Sequence, residues 1–88
     1  MPLDLSNEKL DLPYPCRWAY KVIGKDEDAL RSAVSEIVQA REHSVSLSRR
    51  SAERNYVSLN VEVVVRDQED RVAIYDALRR HRAVTLVL

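Results

Sequence analysis

Residues 56–65 alternate between apolar side chains and mostly polar ones, which is the period of a β-strand with one buried face. The apolar set is Val57, Leu59, Val61, Val63 and Val65, and the intervening set is Tyr56, Ser58, Asn60, Glu62 and Val64. Successive side chains of a strand point to opposite faces. The alternation therefore predicts one face packed in a core and one face open to water or to a partner.

Two amphipathic helices are predicted to cover the buried face. Residues 26–41 carry apolar side chains at helical spacing behind Asp26, whose carboxylate suits an N-cap. A second helix is predicted to follow Asp67, another N-cap residue, and to end near residue 81 or 82. The predicted buried sides are Leu30, Ala33, Val34, Ile37 and Val38 in the first helix, and Ile74, Tyr75, Ala77 and Leu78 in the second.

Three further strands are predicted around these elements. Residues 16–23 are rich in aromatic and β-branched side chains and end at Gly24, and residues 44–51 alternate serines with apolar side chains. Residues 52–55 form the predicted turn, in which Asn55 adopts a left-handed conformation at low cost. Residues 83–88 form an uncharged edge strand that invites pairing, with Val84, Leu86 and Leu88 predicted on its buried face.

The order β-α-β-β-α-β predicts an α+β fold, the ferredoxin-like plait, with a four-stranded antiparallel sheet and two helices on one face. Right-handed crossovers place the first strand in the middle, beside the third and fourth strands. Residues 15–88 form the predicted domain, and residues 1–14 a flexible tail in which prolines disfavour helix.

Composition narrows the function classes. The chain of 88 residues has 14 basic and 14 acidic side chains, so no net charge draws it to nucleic acid or to a membrane. A single cysteine fits a reducing cytoplasm and excludes a multi-cysteine metal or redox motif, and a single glycine argues against a phosphate-binding loop. The sequence shows neither a signal peptide nor a membrane span. We therefore expect no enzymatic activity, no cofactor, no metal and no membrane partner.

Several short motifs carry a family resemblance. They are Tyr14-Pro15-Cys16, residues 20–24, Tyr56 with Ser58 ahead of the alternating valines, Ile74-Tyr75-Ala77-Leu78, and Val87-Leu88. In this order they resemble the YbeD-like family of small bacterial proteins of unknown function, over about residues 14–88. The resemblance implies a ferredoxin-like fold akin to ACT-type regulatory domains, which bind small ligands, often amino acids. It implies no established activity, and residues 52–55 lack the glycine that the family leads us to expect.

Lys21 is the central candidate on the open face, because Tyr20 and Val22 beside it point to the core. It faces Asn60 and Glu62 of the third strand, so it forms either a cross-strand ion pair or a contact with a ligand or partner. Gly24 begins a connection whose backbone amides either cradle a ligand or serve an ordinary turn and cap.

Apolar groups are predicted at both ends of this open face, with Val64 beside Val87 at one end and Ile23 with Tyr56 at the other. The predicted binding residues are Lys21, Ile23, Gly24, Tyr56, Asn60, Glu62, Val64 and Val87. They support the hypothesis of an ACT-like regulatory or adaptor domain that binds a protein partner or a small metabolite, with a homodimer as an option.

The alternative is RNA binding through two groups of arginines, which are Arg49, Arg50 and Arg54, and Arg79, Arg80 and Arg82. The zero net charge and the lack of stacking aromatics on the central strands disfavour this alternative.

Overall fold

A computed structural model describes residues 13–51 and 55–88. The elements are β1 (Cys16–Gly24), α1 (Glu27–Val38), β2 (His43–Ser51), β3 (Tyr56–Val65), α2 (Gln68–Arg80) and β4 (Leu86–Val87). The four strands form one antiparallel sheet in the order β2-β3-β1-β4. The predicted ferredoxin-like fold is confirmed, including the central position of β1.

Two predicted segments lie wholly or largely outside the described residues. The tail is described only at Pro13 and Tyr14, and Tyr14 packs against the core. The turn is described only at Asn55, whose φ of 58° is the predicted left-handed conformation.

Both helices begin at the predicted N-caps. The Asp26 carboxylate accepts the N–H of Asp28 at 3.2 Å, and the Asp67 carboxylate accepts the N–H of Asp70 at 2.8 Å. Helix α1 ends three residues earlier than predicted, because Gln39 takes a positive φ of 53° and its N–H closes the last turn on the Ser35 carbonyl.

The core is a single layer between the sheet and the helices. All five alternating apolar residues of β3 are buried, as is most of the predicted stripe of α1. Helix α2 buries a narrower line than predicted, since only Ile74 and Leu78 of its predicted set are enclosed. Tyr75 is 39% exposed and Ala77 is exposed, so the prediction was wrong at these two positions. Burial along α2 follows an i, i+4 line, which leaves the adjacent positions at its margin.

Strand β4 departs most from the prediction. Only Leu86 and Val87 form the strand, because the chain before it turns, with the Val84 N–H bonded to the His81 carbonyl. Val87 pairs with Val22 and is 5% exposed, whereas Leu86 pairs with Ile23 and is 48% exposed. The predicted faces of β4 were therefore wrong: Val87 belongs to the core and Leu86 to the opposite face.

Candidate functional site

The open face of the sheet, opposite the helices, presents its side chains in rows that cross the strands. In the middle row Lys21 lies opposite Asn60, and Asn60 lies opposite Ser46. Beyond Lys21 the backbone of Leu88 borders this row, because its N–H and C=O bond those of Lys21. The flanking rows are Ile23 with Ser58, Arg49 and Leu86 on one side, and Ala19 with Glu62 and Ser44 on the other.

Lys21 is exposed and forms no ion pair with any described residue. The predicted contact with Asn60 is present as a directly opposed strand pair. The predicted ion pair between Lys21 and Glu62 is absent. The Glu62 carboxylate pairs instead with the guanidinium of Arg17 at 3.6 Å, and the same guanidinium pairs with Glu42 at 3.0 Å. Among the described residues, the ammonium group of Lys21 is therefore without a counter-charge at the centre of the face.

Arg49 adds a second cation to the same face. A β-bulge in β2 between Leu47 and Arg49 inserts one residue, so that Arg49 rather than Ser48 lies opposite Ser58. Without the bulge, strand alternation would turn Arg49 to the helix side. It is exposed and forms no ion pair with the described residues. The alternation of serines in this segment does not indicate the bulge, so the position of Arg49 on the open face was not predicted.

One of the two predicted apolar ends is present in altered form. Ile23 and Tyr56 are half-buried at one end of the face, where Leu86 joins them. At the other end Val64 lies opposite Arg17. Val87 is not there, because β4 pairs only with the far part of β1 and turns this valine into the core.

Gly24 occupies a packing position. It is buried, and a Cβ on it would lie 2.5 Å from the Ala83 carbonyl oxygen and 2.8 Å from a methyl carbon of Leu30. The Asp28 amide at the start of α1 is already bonded by the Asp26 carboxylate. The contacts of this segment are therefore those of an ordinary turn at Gly24 and of a helix cap at Asp26.

A buried ionic cluster, absent from the sequence predictions, joins the end of α1 to the start of α2. The Asp70 carboxylate accepts two bonds from the Arg41 guanidinium, at 2.7 and 2.6 Å, and a third from the Arg66 N–H at 2.9 Å. The Arg41 guanidinium holds the pKa of Asp70 well below its usual range, and Asp70 in turn raises the pKa of Arg41. These charges neutralise each other, so the cluster serves the fold.

An aromatic groove lies on the helix side of β1, between that strand and α2. The guanidinium carbon of Arg71 lies 4.7 Å from the centroid of the Trp18 ring. The Nε–H of Arg71 donates to the Tyr14 hydroxyl at 3.2 Å. The Tyr20 hydroxyl donates to the Arg71 carbonyl at 2.6 Å, and burial raises the pKa of Tyr20 to about 12. A cavity of about 240 Å³ is lined by Trp18, Tyr20, Arg71, Val72, Tyr75 and Leu88. We call these six residues the edge groove.

Three of the six arginines in the two groups pair with neighbouring acids. Arg50 pairs with Glu27, and hydrogen bonds from Arg31 and then from Arg50 lower the pKa of Glu27. Arg79 and Arg80 both pair with Asp76 at 3.0 Å, which lowers the pKa of that carboxyl. Arg54 lies outside the described residues. These pairs weaken the case for a basic RNA-binding surface.

The described part of the chain shows neither a metal-binding cluster nor a membrane-spanning helix. Within residues 13–51 and 55–88, no three or more His, Cys, Asp or Glu side chains are grouped to hold a metal ion. No helix in these ranges is long and apolar enough to cross a membrane.

Uncharacterised bacterial proteins are similar to this chain over most of its length. It is 33% identical over 82 residues to a UPF0250 protein from Neisseria gonorrhoeae, covering 88% of this chain and 89% of the relative. It is 34% identical over 76 residues to the uncharacterised protein Cj0253 from Campylobacter jejuni, covering 86% of each.

Two solved structures share the fold. Both are solution structures of HP0495 from Helicobacter pylori, with TM-scores of 0.77 and 0.64 and sequence identities of 22% and 25%. They match all of this chain and 97% and 100% of theirs, respectively. The sequence itself matches the family described as protein of unknown function (DUF493) over residues 10–88. The chain therefore belongs to the DUF493 (UPF0250) family of small bacterial proteins of unknown function, which is also the family of the YbeD-like proteins.

Proposed function

We propose that this chain is a non-enzymatic regulatory or adaptor domain of the ACT-like type, which acts by docking a protein partner on the open face of its sheet. One observation carries the proposal. Lys21 and Arg49 stand on that face without an ion pair to any described residue, among amide and hydroxyl side chains.

The two cations are spaced to meet an extended acidic surface. They lie two strands apart and one row apart, so standard sheet spacings put their Cα atoms roughly 12 Å from each other. Asn60 and Ser58 fill the space between them and offer hydrogen bonds to a carboxylate. Exposed charges of this kind set specificity and association rate more than affinity.

An apolar rim adjoins the cationic centre. Leu86 is 48% exposed, and Ile23 and Tyr56 are half-buried beside it. Apolar and polar groups side by side on an exposed face are typical of a protein interface. A protein fits this face better than an enclosed metabolite does, because the cavities of about 750, 400 and 240 Å³ lie against the helices. A cavity of about 230 Å³ beside Tyr56 lies where β2 ends and β3 begins, and its lining does not include Lys21 or Asn60.

The proposal includes a cytoplasmic location, which the single free thiol of Cys16 supports. RNA binding remains the second candidate. The pairing of Arg50, Arg79 and Arg80 with acids counts against it, and so does the lack of aromatics in the middle of the open face.

Photo-crosslinking in the source cell tests the docking surface. Benzoylphenylalanine in place of Asn60 should give a discrete protein adduct, and the same group in place of the exposed Arg82 should not. Charge reversal by Lys21→Glu with Arg49→Glu should abolish the adduct, while Lys25→Glu, an exposed control outside the rows, should leave it.

An adduct that survives charge reversal, or none from position 60, would contradict the proposal. An adduct that disappears with ribonuclease treatment would favour RNA binding instead. Changes in the NMR chemical shifts of Lys21 and Asn60 on addition of amino acids, without any protein adduct, would favour a metabolite.

A further inference from the structure

Strand β1 extends beyond the strand that pairs with its outer side. The Lys21 N–H and C=O bond Leu88, and the Ile23 carbonyl accepts the Thr85 N–H. In an antiparallel strand every second residue points its peptide group to the same side, so those of Arg17 and Ala19 also point outward. No described strand lies beside them, because β4 pairs only with Val22 and Ile23. Two peptide N–H donors and two C=O acceptors are thus presented in a row.

The edge groove lies next to these peptide groups. Trp18 and Tyr20 alternate with Arg17 and Ala19 along β1, so their side chains line the helix side of the same open edge. Val72 is 48% exposed and Tyr75 is 39% exposed on the facing side of α2. An unpaired backbone edge beside an apolar pocket is the arrangement that binds an extended peptide as an added strand.

Arg71 sets the charge of this groove. It forms no ion pair with a described residue, and its guanidinium is held in place by the Trp18 ring and the Tyr14 hydroxyl. A fixed guanidinium at the side of an apolar pocket is complementary to a carboxylate beside an apolar side chain. A second copy of the chain fits less well, because two-fold pairing of β1 edges would bring two Arg71 side chains together.

We propose that the β1 edge and the edge groove form a peptide-binding site for an extended acidic and apolar segment of a partner protein. The segment adds as a fifth strand along Arg17 and Ala19, with an apolar side chain in the groove and a carboxylate on Arg71. This site is separate from the open face around Lys21, so either site can fail experimentally without the other.

Trp18 is the only tryptophan in the chain, so its fluorescence reports on the groove directly. The probe is the tryptophan-free octapeptide Val-Val-Glu-Glu-Val-Val-Glu-Glu, which presents both valine and glutamate on each face of an extended strand. The matched control replaces each glutamate of this octapeptide by lysine. The acidic peptide should change the Trp18 emission in a saturable way and should slow hydrogen exchange of the Arg17 and Ala19 amides. The basic peptide should do neither.

Arg71→Gln should weaken binding of the acidic peptide about tenfold, the loss expected for one charge-assisted hydrogen bond. Lys25→Gln, an exposed matched control that removes one positive charge, should leave this affinity unchanged, because Lys25 follows the end of β1 that is opposite to Arg17. No response to the acidic peptide, or an equal response to the basic one, would overturn the proposal.

Hydrogen exchange of the full chain without peptide also tests whether another segment already pairs with the outer edge of β1. This measurement needs no variant. The Arg17 and Ala19 amides should exchange quickly at every protein concentration. Slow exchange that is independent of concentration would assign the edge to residues 1–12 of the same chain. Slow exchange that grows with concentration would assign it to a second copy, and either result would refute a partner peptide.

Discussion

Replacing Asp70 by Asn should be among the most damaging single substitutions of a polar residue in α2. The Asp70 side chain is only 6% exposed and accepts bonds from the guanidinium of Arg41 and the backbone N–H of Arg66. Asn keeps the shape but removes the charge that the Arg41 guanidinium faces. The substitution therefore leaves a cation with no counter-charge between the two helices.

The expected loss can be worked out from this geometry. Removing one partner of a buried ion pair lowers the free energy of unfolding by about 3–5 kcal/mol. The Arg41 side chain is 28% exposed and regains some water, which reduces the expected loss to about 2–3 kcal/mol. A domain of this size is stable by only about 4–13 kcal/mol. The midpoint of thermal unfolding should accordingly fall by about 10–20 °C.

Urea unfolding followed by Trp18 fluorescence measures this loss. The matched control is Asp76→Asn, which removes an exposed carboxylate from the same helix and should change stability little. An Asp70→Asn protein as stable as the Asp76→Asn protein would refute the assignment of the cluster as a structural clamp.

The same variant has a distinct pH dependence. The folded pKa of Asp70 is depressed, so its contribution is fully present above the unfolded pKa of about 4 and is lost as the pH falls through the folded value. The wild-type free energy of unfolding should therefore fall more steeply below about pH 4 than that of Asp70→Asn. Parallel acid curves for the two proteins would show that the ion pair adds no stability.

Two further predictions concern the core. Gly24→Ala should lower the free energy of unfolding by about 1–3 kcal/mol, because its Cβ has no room beside the Ala83 carbonyl; an unchanged urea midpoint would show that this turn adjusts freely. Tyr20 has a folded pKa of about 12, above its usual value of 10.0, so its contribution is complete below about pH 10 and is lost as the pH rises towards 12. In Tyr20→Phe, the free energy of unfolding should therefore fall less between about pH 10 and pH 12 than in the wild type. An absorbance titration of this variant should lack the phenol that ionises at the highest pH, and a titration in which that phenol remains would contradict the burial of Tyr20.

Local sequence signals were sufficient for most of the fold. The bounds of β3 are those predicted from its alternation, because five apolar residues at period 2 allow only one register with a buried face. Asp26 and Asp67 located both helix starts, since capping depends on neighbouring amides alone. These features are determined within a few residues of the chain.

The errors arose where tertiary contacts override the local pattern. The apolar composition of residues 83–88 predicted a full strand, but the turn after α2 uses three of these residues and shifts the alternation. The bulge that turns Arg49 to the open face is set by pairing of β2 with β3, which the serine alternation does not encode. The contact of Arg71 with Trp18 joins residues distant in sequence and leaves no local pattern.

Strand β1 is the element that both proposed surfaces share, and its alternation keeps them apart. Its odd-numbered residues from Arg17 to Ile23 send side chains to the open face and peptide groups to the outer edge, whereas Trp18 and Tyr20 send side chains into the groove. A peptide added along the edge would therefore engage backbone and groove while the Lys21 ammonium stayed accessible. Because β4 is so short, one central strand offers a side-chain surface and a backbone edge at once, and two segments of a partner could occupy them together.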